Sequence, residues 1–142
     1  MTTLRRAFIS ARVPEETLRR LERRAERMGR PKSSLVERYL EEGLRMDEHP
    51  GIVFVERAGG RRAALATRPR LSVWQVVDTL KANDGSVSDA AHVLGIPETE
   101  VRLAMAYYVD HQDEIDGWIR AEREFAARSE AAWRREQEIA AG

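Results

Sequence analysis

The chain of 142 residues contains no cysteine, few aromatic side chains and no long hydrophobic run. The lack of cysteine excludes disulfide bonds, thiolate metal sites and cysteine nucleophiles, and it is typical of proteins in a reducing compartment. No stretch approaches the roughly 18 apolar residues of a membrane helix, and the first six residues include no signal-peptide core. We therefore expect a soluble, cytoplasmic protein without a membrane segment.

Positive and negative charges balance over the whole chain but are separated along it. Lys and Arg number 24, and so do Asp and Glu. Residues 1–32 carry ten basic and four acidic side chains, whereas residues 71–117 carry two and nine. A polyanion is attracted to the first segment and repelled by the second. Any nucleic-acid surface is therefore expected at the N-terminus.

A short strand is predicted from Arg6 to Val13, because small or apolar residues alternate there with larger or polar ones. Phe8, Ser10 and Arg12 then lie on one face of that strand. An isolated strand leaves its backbone donors and acceptors unpaired. The nearest candidate partner is the same strand of a second chain, so we expect a dimer.

Two helices are predicted after this strand. Pro14 and an acidic first turn begin the first helix, and Gly29 ends it. Ser33 or Ser34 is expected to cap the second helix. The predicted inner face of that helix consists of Leu35, Val36, Tyr39, Leu40 and Leu44. These elements define a first domain over residues 1–48.

This strand and its two helices resemble the ribbon-helix-helix repressors of the Arc, MetJ and CopG group. The resemblance covers about residues 5–46 and depends on Phe8–Glu16, Gly29 and Lys32–Ser33. In that family two chains pair their strands in the DNA major groove, so the resemblance implies a homodimer or higher even oligomer on operator DNA. The implied base and phosphate contacts are Arg6, Phe8, Ser10, Arg12, Lys32, Ser33 and Ser34.

Phe8 departs from the family pattern, which often has a polar residue that contacts the bases at this strand position. A phenylalanine can pack against a thymine methyl group, or it can weaken the reading of base sequence. The alternative interpretation is therefore a dimerisation ribbon that has lost DNA binding.

A second domain is predicted over residues 49–117. Two apolar segments flank Ala58–Gly60 and predict a β-hairpin, and Ser72 begins a helix. Ser88–Val101 has the spacing of a helix-turn-helix, with Gly95 at the turn. The second helix of this motif opens with acidic residues, which DNA phosphates repel. We therefore interpret it as a packing motif in a domain that binds a protein.

This region also resembles the domain-of-unknown-function-433 family, a winged-helix-like module. Members of that family commonly lie beside genes for PIN-like ribonuclease toxins. Together with the first domain, the resemblance implies a VapB-like type II antitoxin, whose partners are operator DNA and a cognate PIN-like toxin. The residues that carry the resemblance are His49–Ile52, Gly59–Arg62, Ser72–Val77, Arg102–Tyr108 and His111–Ile115.

Residues 118–142 predict a long helix in which apolar residues recur every seven positions. Such a stripe fits a partner-binding surface, although it can also pack on the chain's own core or on a second protomer. PIN-like toxins hold a metal with acidic residues, so the resemblance implies that an arginine blocks that site. The predicted toxin contacts are Trp118, Arg120, Arg123, Phe125, Arg128, Trp133 and Arg134, with Arg61, Arg62 and Arg135 as further candidates.

No catalytic residue, metal site or cofactor is predicted. The three histidines have no adjacent Cys or His ligands, and Gly59–Gly60 lacks the Lys-Ser/Thr of a phosphate loop. The expected fold class is mainly α with a short β-ribbon: a ribbon-helix-helix, a small β-hairpin plus helix-turn-helix-type domain, and a long C-terminal helix. The expected function is an antitoxin that represses its own operon. The alternative is a stand-alone ribbon-helix-helix transcriptional regulator whose second domain mediates oligomerisation.

Overall fold

A computed structural model describes residues 5–142 of the chain. The chain divides into two compact units, the first ending at Glu41 and the second comprising Glu42–Gly142. The described residues contain six helices and one three-stranded sheet, which confirms a mainly helical chain. No helix in this part of the chain combines the length and the apolar character needed to cross a membrane.

The first unit contains α1 (Glu15–Met28) and the beginning of α2 (Lys32–Glu48). Two glutamates in the first turn of α1 favour the helix start, because their charge opposes the positive end of the helix dipole. Gly29 ends α1 with φ at 61°, a left-handed conformation that glycine adopts without a Cβ clash. Both predicted ends of this helix are confirmed.

The start of α2 differs from the prediction. The helix begins at Lys32, and the amides of Ser34 and Leu35 both donate to the carbonyl of Pro31. Ser33 and Ser34 therefore lie within the first turn instead of capping it. The first helical hydrogen bonds are thus accepted by the carbonyl of Pro31, which precedes the first turn.

Residues 5–14 have no assigned secondary structure within one chain. A strand is defined by its backbone partner, and the partner expected here is the same segment of a second chain. The side chains of this segment are exposed, and Phe8 is 92% exposed. The predicted ribbon strand therefore stays a prediction.

The second unit contains an antiparallel sheet. Its strands, in spatial order, are β1 (Ile52–Arg57), β2 (Gly60–Leu65) and β3 (Arg68–Ser72). Arg57 pairs with Gly60 across the two-residue turn that the glycines predict. The predicted hairpin is therefore extended by a third strand, β3. Its sequence has a proline and two arginines in place of alternating apolar residues, so the periodicity gave no signal for it.

Four helices complete the second unit, namely α3 (Val73–Ala82), α4 (Val87–Leu94), α5 (Glu98–Asp110) and α6 (Gln112–Ala141). Ser72 and Gln75 form a capping box at the start of α3, where Ser72 is the predicted cap. The Ser86 hydroxyl accepts a hydrogen bond of 3.1 Å from the amide of Asp89. As a result, α4 begins one residue before its predicted start at Ser88.

Helix α6 begins six residues before the predicted start of the tail at Trp118. His111 alone separates it from α5, because the backbone leaves helical geometry only there, at φ −136° and ψ 42°. Asp113 and Glu114 lie in the first turn of α6, where acidic side chains favour a helix start. The expected interruption over Asp110–Gly117 is thus a single residue.

The hydrophobic core lies in the second unit, where the sheet packs against α3 and α5, and α4 and the beginning of α6 pack against those two helices. Its largest fully buried side chains include Leu65, Val76, Tyr107 and Ile115. By contrast, only Ala25 and Leu35 are buried among the described residues of the first unit. The rest of the predicted inner face of α2, namely Val36, Tyr39, Leu40 and Leu44, is exposed.

Candidate nucleic-acid and protein-binding surfaces

Four of the predicted DNA contacts lie around one groove of the first unit. Arg6, Phe8, Ser33 and Ser34 line this groove, between the N-terminal segment and the start of α2. The Arg6 guanidinium donates to the carboxylate of Glu37 at 2.9 Å. This hydrogen bond is the main cause that raises the pKa of Arg6. The groove therefore holds a cation that is already paired with a carboxylate, beside an exposed aromatic ring.

The other predicted DNA contacts lie outside that groove. Ser10 and Arg12 are exposed in the N-terminal segment. Within residues 5–142 Arg12 forms no ion pair, so its guanidinium is available to a ligand. The Lys32 ammonium lies 3.6 Å from the carboxylate of Glu22, and a phosphate would compete with that contact. Arg12 is thus the least engaged of the predicted basic contacts.

Helix α1 carries an arginine face, consisting of Arg20, Arg23, Arg24 and Arg27. These residues share one side of the helix because they are three or four positions apart. Arg23 contacts Glu16 at 3.3 Å, whereas the other three form no ion pair in the described part of the chain. This face adds positive charge to the unit that holds the predicted DNA contacts.

A polar cluster connects the last turn of α2 with α5 and α6. The Tyr107 hydroxyl donates to Glu114 at 2.7 Å and accepts from Arg45 at 2.8 Å. Arg45 also donates to Glu114 at 2.7 Å. Burial is the main cause that raises the pKa of Tyr107, so the hydroxyl keeps its proton and remains a donor. Sequence reasoning missed this cluster, because its members are far apart in the chain.

His49 and His111 lie beside Tyr107. The ring of Tyr107 lies 4.4 Å from that of His111 and 5.2 Å from that of His49, measured between centroids. Burial, followed by the charge of Arg45, lowers the pKa of His111. Among the described residues no group of three or more His, Asp or Glu side chains is placed to hold a metal ion. The ring contacts show that both histidines pack against Tyr107.

The acidic start of α5 is engaged within the chain. The Glu100 carboxylate accepts hydrogen bonds of 2.9 Å from both Arg68 and Thr67. The bond from Arg68 is the main cause that lowers the pKa of Glu100. Ile96 and Val101, beside the turn between α4 and α5, are buried. These contacts are consistent with the interpretation of the motif as a packing element.

Trp118, a predicted toxin contact, packs against its own chain. Its ring lies close to the two glycines of the β1–β2 turn. A Cβ atom added at Gly59 would be 3.7 Å from the ring, and one added at Gly60 would be 3.6 Å from it. The Arg62 guanidinium lies 4.3 Å from the centre of this ring and also contacts Glu122 at 2.6 Å. The side chain therefore takes part in joining α6 to the β1–β2 turn, as the alternative interpretation of the apolar stripe expects.

Most of the other predicted toxin-binding arginines already have carboxylate partners. The pairs within 2.7 Å are Arg61–Glu42, Arg62–Glu122, Arg123–Asp78 and Arg134–Glu130. Arg120 interacts electrostatically with Asp116. Arg128 and Arg135, by contrast, form no ion pair with any described residue. Two of the predicted aromatic contacts, Phe125 and Trp133, are exposed on the same helix.

Comparison with known families supports the interpretation of the N-terminal part. Residues 9–45 match the family model described as ribbon-helix-helix protein, copG family. The match confirms the predicted ribbon-helix-helix at the N-terminus. It suggests a DNA-binding transcriptional regulator, since such domains typically bind DNA as dimers. Neither a curated protein nor a solved structure matches the chain.

Proposed function

We propose that the chain is a homodimeric, DNA-binding antitoxin. It represses its own operon through the first unit and neutralises a PIN-like ribonuclease toxin through the second. The observation that carries the DNA-binding part is the ribbon-helix-helix match over residues 9–45, which includes the exposed, unpaired Arg12. A guanidinium can donate two parallel hydrogen bonds to guanine in the major groove.

The experiment for DNA binding is fluorescence anisotropy with the protein's own upstream DNA and a scrambled duplex, over a series of salt concentrations. Arg12→Ala should weaken specific binding by about 1–3 kcal/mol and leave binding to scrambled DNA almost unchanged. Arg128→Ala, which removes an arginine from the tail, is the matched control. Equal binding by the Arg12→Ala variant and the wild type would contradict a base-reading ribbon and favour a dimerisation ribbon.

The antitoxin part is supported by the exposed end of α6. Beyond Glu122 this helix buries no side chain, although Phe125, Trp133 and Ile139 are apolar. Aromatic side chains of this kind commonly anchor protein interfaces. The resemblance of residues 49–117 to a domain found beside PIN-like toxin genes gives the class of partner. We therefore place the toxin contact on the exposed part of α6 and leave out Trp118 and Arg123, which contact their own chain.

The experiment for neutralisation is deletion of residues 125–142 in cells that express the neighbouring toxin gene. A cut after Gly117 would also remove the buried Ile119, so the later cut separates binding from folding. The shortened chain should lose protection and retain DNA binding. A shortened chain that still protects the cells would contradict the assignment of the toxin contact to the tail. A full-length chain that gives no protection would favour the stand-alone regulator. We also propose no catalytic role, because His49 and His111, both partly buried, are packed against Tyr107.

A further inference from the structure

We propose that the arginine face of α1 binds the phosphates of a second DNA segment, separate from the operator DNA that the ribbon-helix-helix binds. The face consists of Arg20, Arg23, Arg24 and Arg27. It lies outside the N-terminal segment and the start of α2, where the family resemblance implies operator contacts. This inference rests on the proposed function, in which the first unit binds operator DNA. It goes further by giving that unit a second DNA contact that does not depend on base sequence.

The arginine face concentrates positive charge that the chain itself does not neutralise. Three of its four arginines have no carboxylate partner among residues 5–142, and Arg23 shares the carboxylate of Glu16 with Arg19. Residues three or four positions apart are neighbours on a helix, so these like charges repel one another. An external anion bound between the guanidinium groups would remove that repulsion.

The start of α2 lies on the opposite side of α1 from the arginine face. Lys32, the first residue of α2, contacts the carboxylate of Glu22 at 3.6 Å. Glu22 is two positions from both Arg20 and Arg24, which on an α-helix is a rotation of about 200°. Operator DNA at the start of α2 is therefore on the far side of α1, and the arginines point towards a different DNA segment.

A DNA backbone fits the arginine face better than a protein surface does. Protein interfaces commonly have apolar or aromatic anchors. The apolar residues of α1 all lie outside this face, namely Leu18, Leu21, Ala25 and Met28. DNA carries a phosphate about every 3.4 Å along each strand, and the face extends for about 10 Å along the helix. It can therefore face about three phosphates of one strand, whatever their bases.

The experiment asks whether the operator-bound protein captures a second duplex. Operator DNA is fixed to a biosensor and saturated with the full-length chain, and a scrambled duplex is then added over a series of salt concentrations. The test variant is Arg20→Ala/Arg27→Ala. The control is Arg128→Ala/Arg135→Ala, which removes two unpaired arginines from α6. Circular dichroism checks that both variants keep the wild-type helix content.

We expect the wild type to capture the scrambled duplex and to release it as the salt concentration rises. The test variant should raise the Kd for that duplex at least about tenfold, with a salt dependence shallower by about two phosphate contacts. The control should change this Kd by less than about threefold. Both variants should bind the operator as the wild type does, because Arg12 and the start of α2 are unchanged.

The outcomes distinguish this inference from the proposed function. A wild-type chain that binds the operator and captures no second duplex would overturn the inference, while the repressor role would stand. Equal weakening by both variants would show a general effect of net charge and would also overturn it. If the test variant loses the operator as well, the arginine face contacts the operator itself and the assignment to a second segment is wrong. A wild-type chain that does not bind the operator would contradict the repressor role and this inference together.

Discussion

The two units of this chain differ in how far each completes its own core. The second unit buries side chains from its sheet and from four helices around Tyr107 and Val76. The first unit buries only Ala25 and Leu35 among its described residues, although both of its helices have an apolar face. Contiguous apolar side chains that are exposed on a surface usually mark a contact surface. The second unit therefore has a core of its own, whereas the exposed apolar side chains of the first unit fit the dimer that we propose.

Both units contain paired and unpaired arginines. Around the core of the second unit several arginines are joined to carboxylates of neighbouring elements, as in the contact between Arg45 and Glu114, whereas Arg128 and Arg135 near the end of α6 form no ion pair with any described residue. In the first unit three arginines of the arginine face and Arg12 remain without ion pairs in the described chain. An unpaired cation on a surface is available to an external anion. The surfaces left incomplete by folding are therefore those that we assign to partners.

The largest effect is expected from Leu40→Glu on the apolar face of α2. In the proposed dimer this position is buried, and an unpaired carboxylate there opposes the association of the two chains. The variant should therefore be monomeric, and its first unit should lose helical structure. Light scattering after size-exclusion chromatography measures the mass, and circular dichroism measures the helix content. Specific DNA binding should fall below detection, since it requires paired strands.

The matched control is Val93→Glu, which replaces an exposed apolar residue of the second unit with the same side chain. It should remain dimeric and folded, because no partner surface is proposed there. If both variants behave alike, or if Leu40→Glu stays dimeric, the contrast between the two units is wrong.

Gly51→Ala should destabilise the second unit more than Gly29→Ala destabilises the first. Both glycines have positive φ, and a left-handed conformation costs other residues about 1–2 kcal/mol. At Gly51 the new Cβ atom would also lie 2.7 Å from a side-chain carbon of Leu103, whereas nothing lies within 4 Å at Gly29. Chemical denaturation followed by circular dichroism measures the loss in free energy of unfolding for each variant. A loss at Gly51 no larger than that at Gly29 would contradict a tightly packed second unit.

A smaller, pH-dependent effect is expected from His111. Burial and Arg45 lower its pKa in the folded chain below the ordinary value of 6.5. The unfolded chain therefore binds a proton more readily, and the second unit loses stability as the pH falls from about 6.5 towards the folded pKa. His111→Gln should reduce that loss, while His92→Gln, at an exposed position, should not. Tryptophan fluorescence reports on this unit alone, because all three tryptophans lie in it.

Local signals in the sequence predicted most of the helices correctly. Gly29 and Ser72 act through their own backbone neighbours, so a reader of the sequence can place the ends of α1 and α3. The cluster of Tyr107, Glu114 and Arg45 joins residues from distant parts of the chain, so no local pattern encodes it. Strand β3 pairs with the neighbouring β2, but its proline and arginines hide the alternation that would predict a strand. The same limit applies to the tail arginines, since spacing gives their side of the helix and only the structure shows which have carboxylate partners.

The smallest effect is expected from Arg134→Ala on the exposed part of α6. Its ion pair with Glu130 joins two side chains that are more than half exposed, and such pairs contribute about 0–1 kcal/mol. Arg62→Ala should cost more, because that guanidinium is largely buried, lies over the Trp118 ring and contacts Glu122. Denaturation followed by tryptophan fluorescence gives both free energies. Equal losses in free energy of unfolding would mean that contacts within the chain stabilise the exposed end of α6 as much as the beginning of that helix. The unequal losses that we expect would instead mean that this end contributes little to folding, which leaves it available for a partner.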